Sequence, residues 1–340
     1  MLSDSLAKEF EAIVGKENVF TSEADRQNYS YDSCVWTPCI PGGVVRPTNT
    51  EQLGPIIELC YKEGIPMTVR GAGTNLSGGT IPDHSDTAVV LTTGLNRILE
   101  INSNDLYAVV EPGVITADFA AAVAKKNLFY PPDPGSQAVS TIGGNIAENA
   151  GGLRGLKYGV TKDYLMGVEF FDATGETVKT GSRTVKCVTG YNLAGMLIQS
   201  EGTLGIISQA ILKLVPPPKA SKALMAVFDD MQNAAEAVAG IIAAHVLPCT
   251  LEFLDNNTIV RVDDFTKAGL PRDAAAILLI EVDGHPAQVA DDAEAVERVL
   301  KENKAVAVHV PKDAAEKFKL WEARRMALPV LARCRPTTVL

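Results

Sequence analysis

The groups in this chain best placed to do chemistry are main-chain amides. The segment Arg70-Gly71-Ala72-Gly73-Thr74-Asn75-Leu76-Ser77-Gly78-Gly79 sets four glycines among three short polar side chains. Glycine lets successive N–H groups turn inward and form a concave nest for an anion. Thr74, Asn75 and Ser77 add hydroxyl and amide donors, and a diphosphate is the guest that suits such a loop. Two other phosphate loops do not fit. Gly71-x-Gly73-x-x-Leu76 lacks the third glycine of a dinucleotide fingerprint, and the chain runs through Pro82 instead of into a helix. Val89-Val90-Leu91-Thr92 stands where the acidic residue is due. No Gly-Lys-Ser/Thr follows, which excludes a P-loop.

Alone, a glycine-rich turn is most often structural. Here more such segments follow: Pro131-Pro132-Asp133-Pro134-Gly135-Ser136, Thr141-Ile142-Gly143-Gly144-Asn145 and Ala150-Gly151-Gly152. Lys157-Tyr158-Gly159-Val160-Thr161-Lys162-Asp163 continues the series, and Ser200-Glu201-Gly202-Thr203-Leu204-Gly205-Ile206-Ile207 closes it. So many small residues cost chain entropy on folding. A long ligand touching backbone at many points accounts for them better than a bulged sheet does.

The elements that must position these loops follow from periodicity. Leu6, Phe10, Ile13 and Val14 share one face of a helix over 5–17. A strand at 43–47, a helix at 50–63 and a strand at 66–69 make a first β-α-β unit. Short strands are expected at 87–91, 107–111, 166–172, 177–180 and 206–214, with a helix at 116–126. Pro216-Pro217-Pro218 marks a domain boundary, since proline continues neither a central strand nor a helix interior. After it, strands at 223–228, 249–254, 276–282 and 305–310 alternate with helices at 231–244 and 287–302, the order of a ferredoxin-like layer. A last helix from Asp313 to about Leu328 leads to Pro329, and 337–340 looks like the start of another strand. The chain therefore reads as α+β, apparently truncated, in three parts: an N-terminal helical segment over 1–36, a glycine-rich domain over 37–216 and a smaller domain over 217–340.

With 340 residues, 46% of them hydrophobic and 21% charged, the chain can bury a sizeable core. A formal charge of −10 without a Lys/Arg cluster makes nucleic acid and anionic membrane poor partners. No apolar run reaches the ~20 residues of a membrane-spanning helix. The six scattered cysteines read as reduced thiols, and the first residues carry Asp4, Lys8 and Glu9, so the reading is cytoplasmic. The four histidines lie far apart, and no metal site is expected within this chain.

Taken in order, RGAGTNLSGG, PPDPGS, TIGGNIAENAGG, LKYGVTKD and SEGTLGII resemble the FAD-binding domain of the vanillyl-alcohol oxidase and p-cresol methylhydroxylase superfamily. Within it the chain is similar to glycolate oxidase flavin subunits and to D-lactate and D-2-hydroxyglutarate dehydrogenases. The resemblance covers roughly residues 37 to 340 and is stronger in the first domain. It implies a two-part FAD-binding domain followed by a substrate cap.

The resemblance also implies roles for particular residues. Arg70, Gly71, Ala72, Gly73, Thr74, Asn75, Ser77, Gly78 and Gly79 would hold the pyrophosphate. Pro132, Gly135, Ser136, Thr141, Gly143, Gly144 and Asn145 would line the flavin side, with Gly151, Tyr158, Gly159 and Val160 continuing that wall. Glu201, Gly202, Ile206 and Ile207 would sit against the adenosine half. Thr74 and Asn75 stand where some relatives have a tethering histidine, so FAD is expected to be non-covalent. Arg324, in Leu320-Trp321-Glu322-Ala323-Arg324-Arg325, matches the arginine that binds the substrate carboxylate. The histidine-rich metal segment of these relatives has no counterpart here, so a divalent metal is expected only in a longer chain.

The activity implied is oxidation of a D-2-hydroxy acid of the glycolate or D-lactate class. Asp133 and Glu201 are conceivable bases, although loop structure or cofactor binding explains them as well. One alternative is a flavin-binding electron-transfer subunit, whose iron–sulfur or electron-transferring flavoprotein partner lies on another chain. Another is an NADPH-dependent reductase of the same flavin fold.

Overall fold

The computed structural model describes residues 1–34 and 38–334. The chain divides into two units, Met1–Gly152 with Val160–Pro216, and Leu153–Gly159 with the residues from Pro217 onward.

The first unit contains two sheets. Strands β1 (Val19–Phe20), β2 (Gly43–Val45), β3 (Met67–Arg70) and β4 (Ala88–Leu91) form the first, in the order β1-β2-β4-β3. β2 and β3 both run parallel to β4, with Arg70 opposite Leu91. The helix Leu53–Glu63 connects β2 to β3 and buries Leu53, Ile56, Ile57 and Cys60 at helical spacing. It ends at Gly64, whose φ of 66° is the left-handed conformation that glycine adopts without strain. The glycine loop therefore leaves the carboxyl end of a parallel strand, where open α/β sheets tend to receive ligands.

The second sheet contains β5 (Ile98–Asn102), β6 (Tyr107–Val110), β7 (Leu165–Phe171), β8 (Thr177–Gly181) and β9 (Ile206–Lys213). Their order is β5-β6-β9-β7-β8, antiparallel throughout. Phe119 and Val123 of the helix Thr116–Ala124 pack beneath it with Tyr130, Ile142 and Ile146. Phe171 and Ile206 instead join the core of the first sheet, beside Leu53 and Ile57. Leu2, Leu6, Phe10 and Val14 enter that same core, so the helix Asp4–Val14 is built into the first unit.

In the second unit, β10 (Ala220–Phe228), β11 (Thr250–Asp255), β12 (Ala276–Gly284) and β13 (Ala307–His309) are ordered β11-β12-β10-β13. All pairs are antiparallel, which is the ferredoxin-like topology the sequence implies. Helices Met231–Ala243 and Pro286–Glu302 cover one face through Ala237, Ile241, Val296 and Leu300. Ala223, Ile277 and Leu279 point to the other face, beneath Ile259, Leu320 and Trp321.

Several elements differ from the sequence reading. β5 and the helix Asn256–Thr266 were not expected, nor was a helix over Ile142–Glu148. The helix expected up to Leu328 breaks at Met326 into Ala314–Arg325 and Ala327–Ala332. Pro329 falls in the first turn of the second piece, where no intrahelical N–H bond is lost. The strand expected at 337–340 lies outside the described residues.

Candidate functional site

β3 delivers the loop Gly71–Gly79 to the rim of a cavity of about 300 Å³, at the lower end of the ligand-pocket range. The loop supplies one wall through Gly71, Ala72, Gly73, Thr74, Asn75 and Gly79. Ser136, Thr141, Gly143, Gly144 and Asn145 supply the second, and Glu201, Gly202 and Ile207 the third. Every one of these segments was singled out in the sequence, and the fold brings them together within the first unit.

The donors available there are main-chain ones. From Ala72 to Thr80, no backbone N–H has a hydrogen-bond partner among the described residues. The side-chain donors are already in use. Asn75 Nδ2 donates to Asp32 at 2.7 Å, and Ser77 Oγ lies 3.1 Å from Glu148 and 3.0 Å from Glu201. Thr74 is the polar side chain of the loop that keeps its hydroxyl uncommitted among the described residues. Close approach requires glycine in two places. A Cβ on Gly71 would run into Thr141 Oγ1, and one on Gly73, at a φ of 67°, into the Arg70 guanidinium.

The second wall is built differently. Thr141 caps the helix Ile142–Glu148 by accepting from Gly144 N at 3.3 Å. Ile142 N and Gly143 N bond to Val114 O at 2.9 Å and Pro112 O at 2.7 Å. The first-turn amides are therefore spent within the protein, and this wall offers shape more than donors. Gly143 is needed because its Cβ would meet Pro112 Cβ at 2.6 Å. Asn145 is buried and donates to Thr116 Oγ1 at 2.7 Å.

Other residues implied by the resemblance lie elsewhere, each for a physical reason. Arg70 is buried and is not among the residues lining the cavity; its guanidinium donates to Thr80 and lies 5.7 Å from the centre of the Tyr29 ring. Gly78, Pro132 and Ile206 are interior positions, and Gly135 is exposed with open space around it. Gly151 packs on Val160, a Cβ at that glycine meeting Val160 Cγ1 at 2.8 Å. Tyr158 and Gly159 belong to the second unit, where the Tyr158 hydroxyl donates to Asp283 at 2.7 Å.

Glu148 was missed by the sequence reading, although it stands within the TIGGNIAENAGG segment. Burial pushes its carboxyl up, and the nearby charge of Glu201 adds to the shift. One hydroxyl proton on Ser77 cannot serve two carboxylates at once, which favours the protonated form of Glu148.

In the second unit, Arg324 is half-buried. Its Nε donates to Glu252 Oε2 at 2.5 Å, with the side chains 31% and 18% exposed. Its two terminal nitrogens make no hydrogen bond among the described residues. A planar fork with a free outer edge can meet a carboxylate through two nitrogens. Among the described residues no group of three or more His, Cys, Asp or Glu side chains is placed to hold a metal.

The residues around the cavity suit a flavin dinucleotide on two counts: the run of uncommitted amides at the loop, and glycines where a Cβ would collide. The first unit has the two-sheet form of an FAD-binding domain, and the second is a ferredoxin-like α+β layer. Residues 41–181 match the family described as FAD binding domain, and residues 217–339 the C-terminal domain of FAD linked oxidases.

The chain is 46% identical to the glycolate oxidase subunit GlcD of Bacillus subtilis (strain 168), over all of this chain and 72% of that protein. It is 40% identical to GlcD of Escherichia coli (strain K12), over 86% of this chain and 58% of that protein. A D-lactate dehydrogenase of Anaerostipes hadrus is 31% identical over 97% of this chain and 70% of its own length. Among solved structures, an alkyldihydroxyacetonephosphate synthase superposes with a TM-score of 0.82 at 19% identity, covering 98% of this chain and 64% of the other. A p-cresol methylhydroxylase does so with a TM-score of 0.80 at 18% identity, covering 96% and 71%. At those identities the structures establish the fold alone. The chain belongs to the FAD-linked oxidase family of flavin oxidoreductases, and its cofactor is FAD.

Proposed function

We propose that this chain is the flavin-carrying part of an oxidoreductase that converts a D-2-hydroxy acid of the glycolate or D-lactate class to the 2-oxo acid. The observation that carries the reading is the unbroken run of uncommitted amides from Ala72 to Thr80 at the rim of the cavity. It suits the diphosphate of FAD in a chain whose relatives are named glycolate oxidase subunit and D-lactate dehydrogenase. FAD, when bound, supplies a hydride acceptor at N5. The loop and the glycines at Gly71, Gly73, Gly143 and Gly144 hold the cofactor without a covalent tether. The outer edge of Arg324 receives the substrate carboxylate.

An anaerobic absorption spectrum tests this reading. Full-length protein purified yellow should bleach on adding D-lactate or glycolate and stay oxidised with the L-enantiomer of lactate. Colourless protein that takes up no FAD, or flavin unaffected by a panel of 2-hydroxy acids, would count against it.

A second reading has its own support, because the two GlcD relatives carry the word subunit in their names. In it the chain passes electrons to an iron–sulfur or electron-transferring flavoprotein partner. Dye reduction that appears only when that partner is mixed in favours this version. Rapid flavin reduction by NADPH alone favours a reductase instead. No described helix is long and apolar enough to cross a membrane, and a cytoplasmic setting is part of this proposal.

A further inference from the structure

The flavin loop is fastened from outside the glycine-rich stretch, by a residue of the N-terminal segment. Asp32 is buried, with 9% of its surface exposed. Its Oδ2 accepts from Asn75 Nδ2 at 2.7 Å and from Thr80 Oγ1 at 3.2 Å, while Oδ1 accepts from Cys34 N at 2.7 Å. Thr80 Oγ1 also lies 3.0 Å from Asn75 Oδ1, which closes a three-membered ring of contacts. Next to it, Ser33 Oγ donates to Gly73 O at 3.3 Å. Arg70, at the base of the loop, reaches Thr80 from the other side. One short stretch of the N-terminal segment thus touches the loop at its start, middle and end.

Geometry gives this contact a purpose. A glycine-rich loop has no side-chain packing to fix its path, and its amides point inward only while the path is held. Those amides have no partner of their own between Ala72 and Thr80 among the described residues. A buried carboxylate needs several donors, and the loop supplies two of the three seen here. We propose that Asp32 is a positioning residue for FAD. It holds the Asn75 side chain and anchors Thr80, so the amides between them stay pre-arranged for the diphosphate. The proposal rests on the assignment of the loop to the diphosphate.

The test uses full-length protein stripped of FAD and titrated with FAD by fluorescence. Asp32→Asn keeps the shape but turns a donor toward Asn75 and Thr80, and should raise the FAD dissociation constant about tenfold or more. Hydrogen exchange at saturating FAD should be faster than in the parent for amides 72–80 and unchanged elsewhere, which a general loss of stability would not produce. In an Asn75→Ala background, the effect of Asp32→Asn should shrink to about threefold or less, because the two act through one contact. Should Asp32→Asn fail to fold, Thr80→Val and Asn75→Ala decide the matter through the same titration and exchange pattern. Affinity within about twofold of the parent for the folded variants, or fully additive effects, would overturn the role of Asp32. Parent protein that takes up FAD without protecting amides 72–80 would overturn the loop assignment and this role with it.

Discussion

Glu252 accepts a hydrogen bond from Nε of Arg324, and the two terminal nitrogens of that arginine have no partner among the described residues. The relationship crosses from β11 to the helix Ala314–Arg325, and it holds the guanidinium plane by its inner edge. Lys317, two helical turns earlier, is tied to Glu281 at 2.6 Å and to Ser221 at 2.8 Å. Of these two cations, Arg324 is the one with a free edge suited to a planar anion. Replacing it by alanine should raise KM for the hydroxy acid about 10–100-fold in full-length enzyme. FAD affinity should be unchanged. Steady-state kinetics beside an FAD titration separate the two effects.

Glu148 gives the cofactor site a pH dependence. Its carboxyl is pushed up, first by burial and then by Glu201. Below its titration the group is neutral, and above it a charge faces the cavity proposed for the diphosphate. FAD should therefore bind more weakly as pH rises through that titration, and Glu148→Gln should flatten the dependence. Folding stability has the same sign. Unfolded glutamate ionises near 4.3, so stability falls as pH rises from there to the raised folded value. Titrations of FAD and of urea unfolding across pH check both.

Gly73→Ala should cost about 1–3 kcal/mol of stability and most of the FAD affinity. The residue sits at a φ of 67°, and a Cβ there would meet the buried Arg70 guanidinium. Gly64→Ala, with a φ of 66° but open space around it, should cost only about 1 kcal/mol and leave FAD binding intact. The pair separates left-handed strain from loss of the site. Thermal unfolding and FAD titration read them out.

Much of this was legible in the sequence. Strands with continuous apolar runs, such as Ala88–Leu91, and helices with clear spacing, such as Leu53–Glu63, fall within three residues of where periodicity puts them. The glycine segments announced the cavity because few other constraints call for so many small residues. The helix Ile142–Glu148 was hidden by Gly143 and Gly144, which are poor helix formers; Pro112 presses against the first of them and Thr141 lies against the second. β5 was missed because its burial is only partial. The destinations of side chains were not legible at all. Nothing in the spacing says that Asn75 turns to Asp32, or that Arg70 reaches across to Thr80. Those outcomes depend on partners forty residues away or on an aromatic ring from another segment.

In the second unit, Lys157 Nζ binds Asp283 Oδ1 at 2.6 Å and Tyr158 its other oxygen at 2.7 Å. Burial, followed by that hydrogen bond, raises the Tyr158 phenol well above its ordinary range, so it stays a neutral donor. Asp283 is almost fully enclosed, while Lys157 keeps some contact with solvent. Lys157→Met should destabilise the second unit by about 2–4 kcal/mol, because the carboxylate loses its counter-charge. Denaturant unfolding followed by hydrogen exchange should place the loss on β12 and its neighbours.

The loan of Leu153–Gly159 to the second unit also sets an order of events during synthesis. These residues leave the ribosome long before Asp283, and at ~5–20 residues per second the wait is on the order of ten seconds. A nascent chain must keep that stretch free while the rest of its own neighbourhood is already able to fold. A polypeptide begun at Pro217 would never receive it, and would carry Asp283 with neither the lysine nor the phenol that it needs.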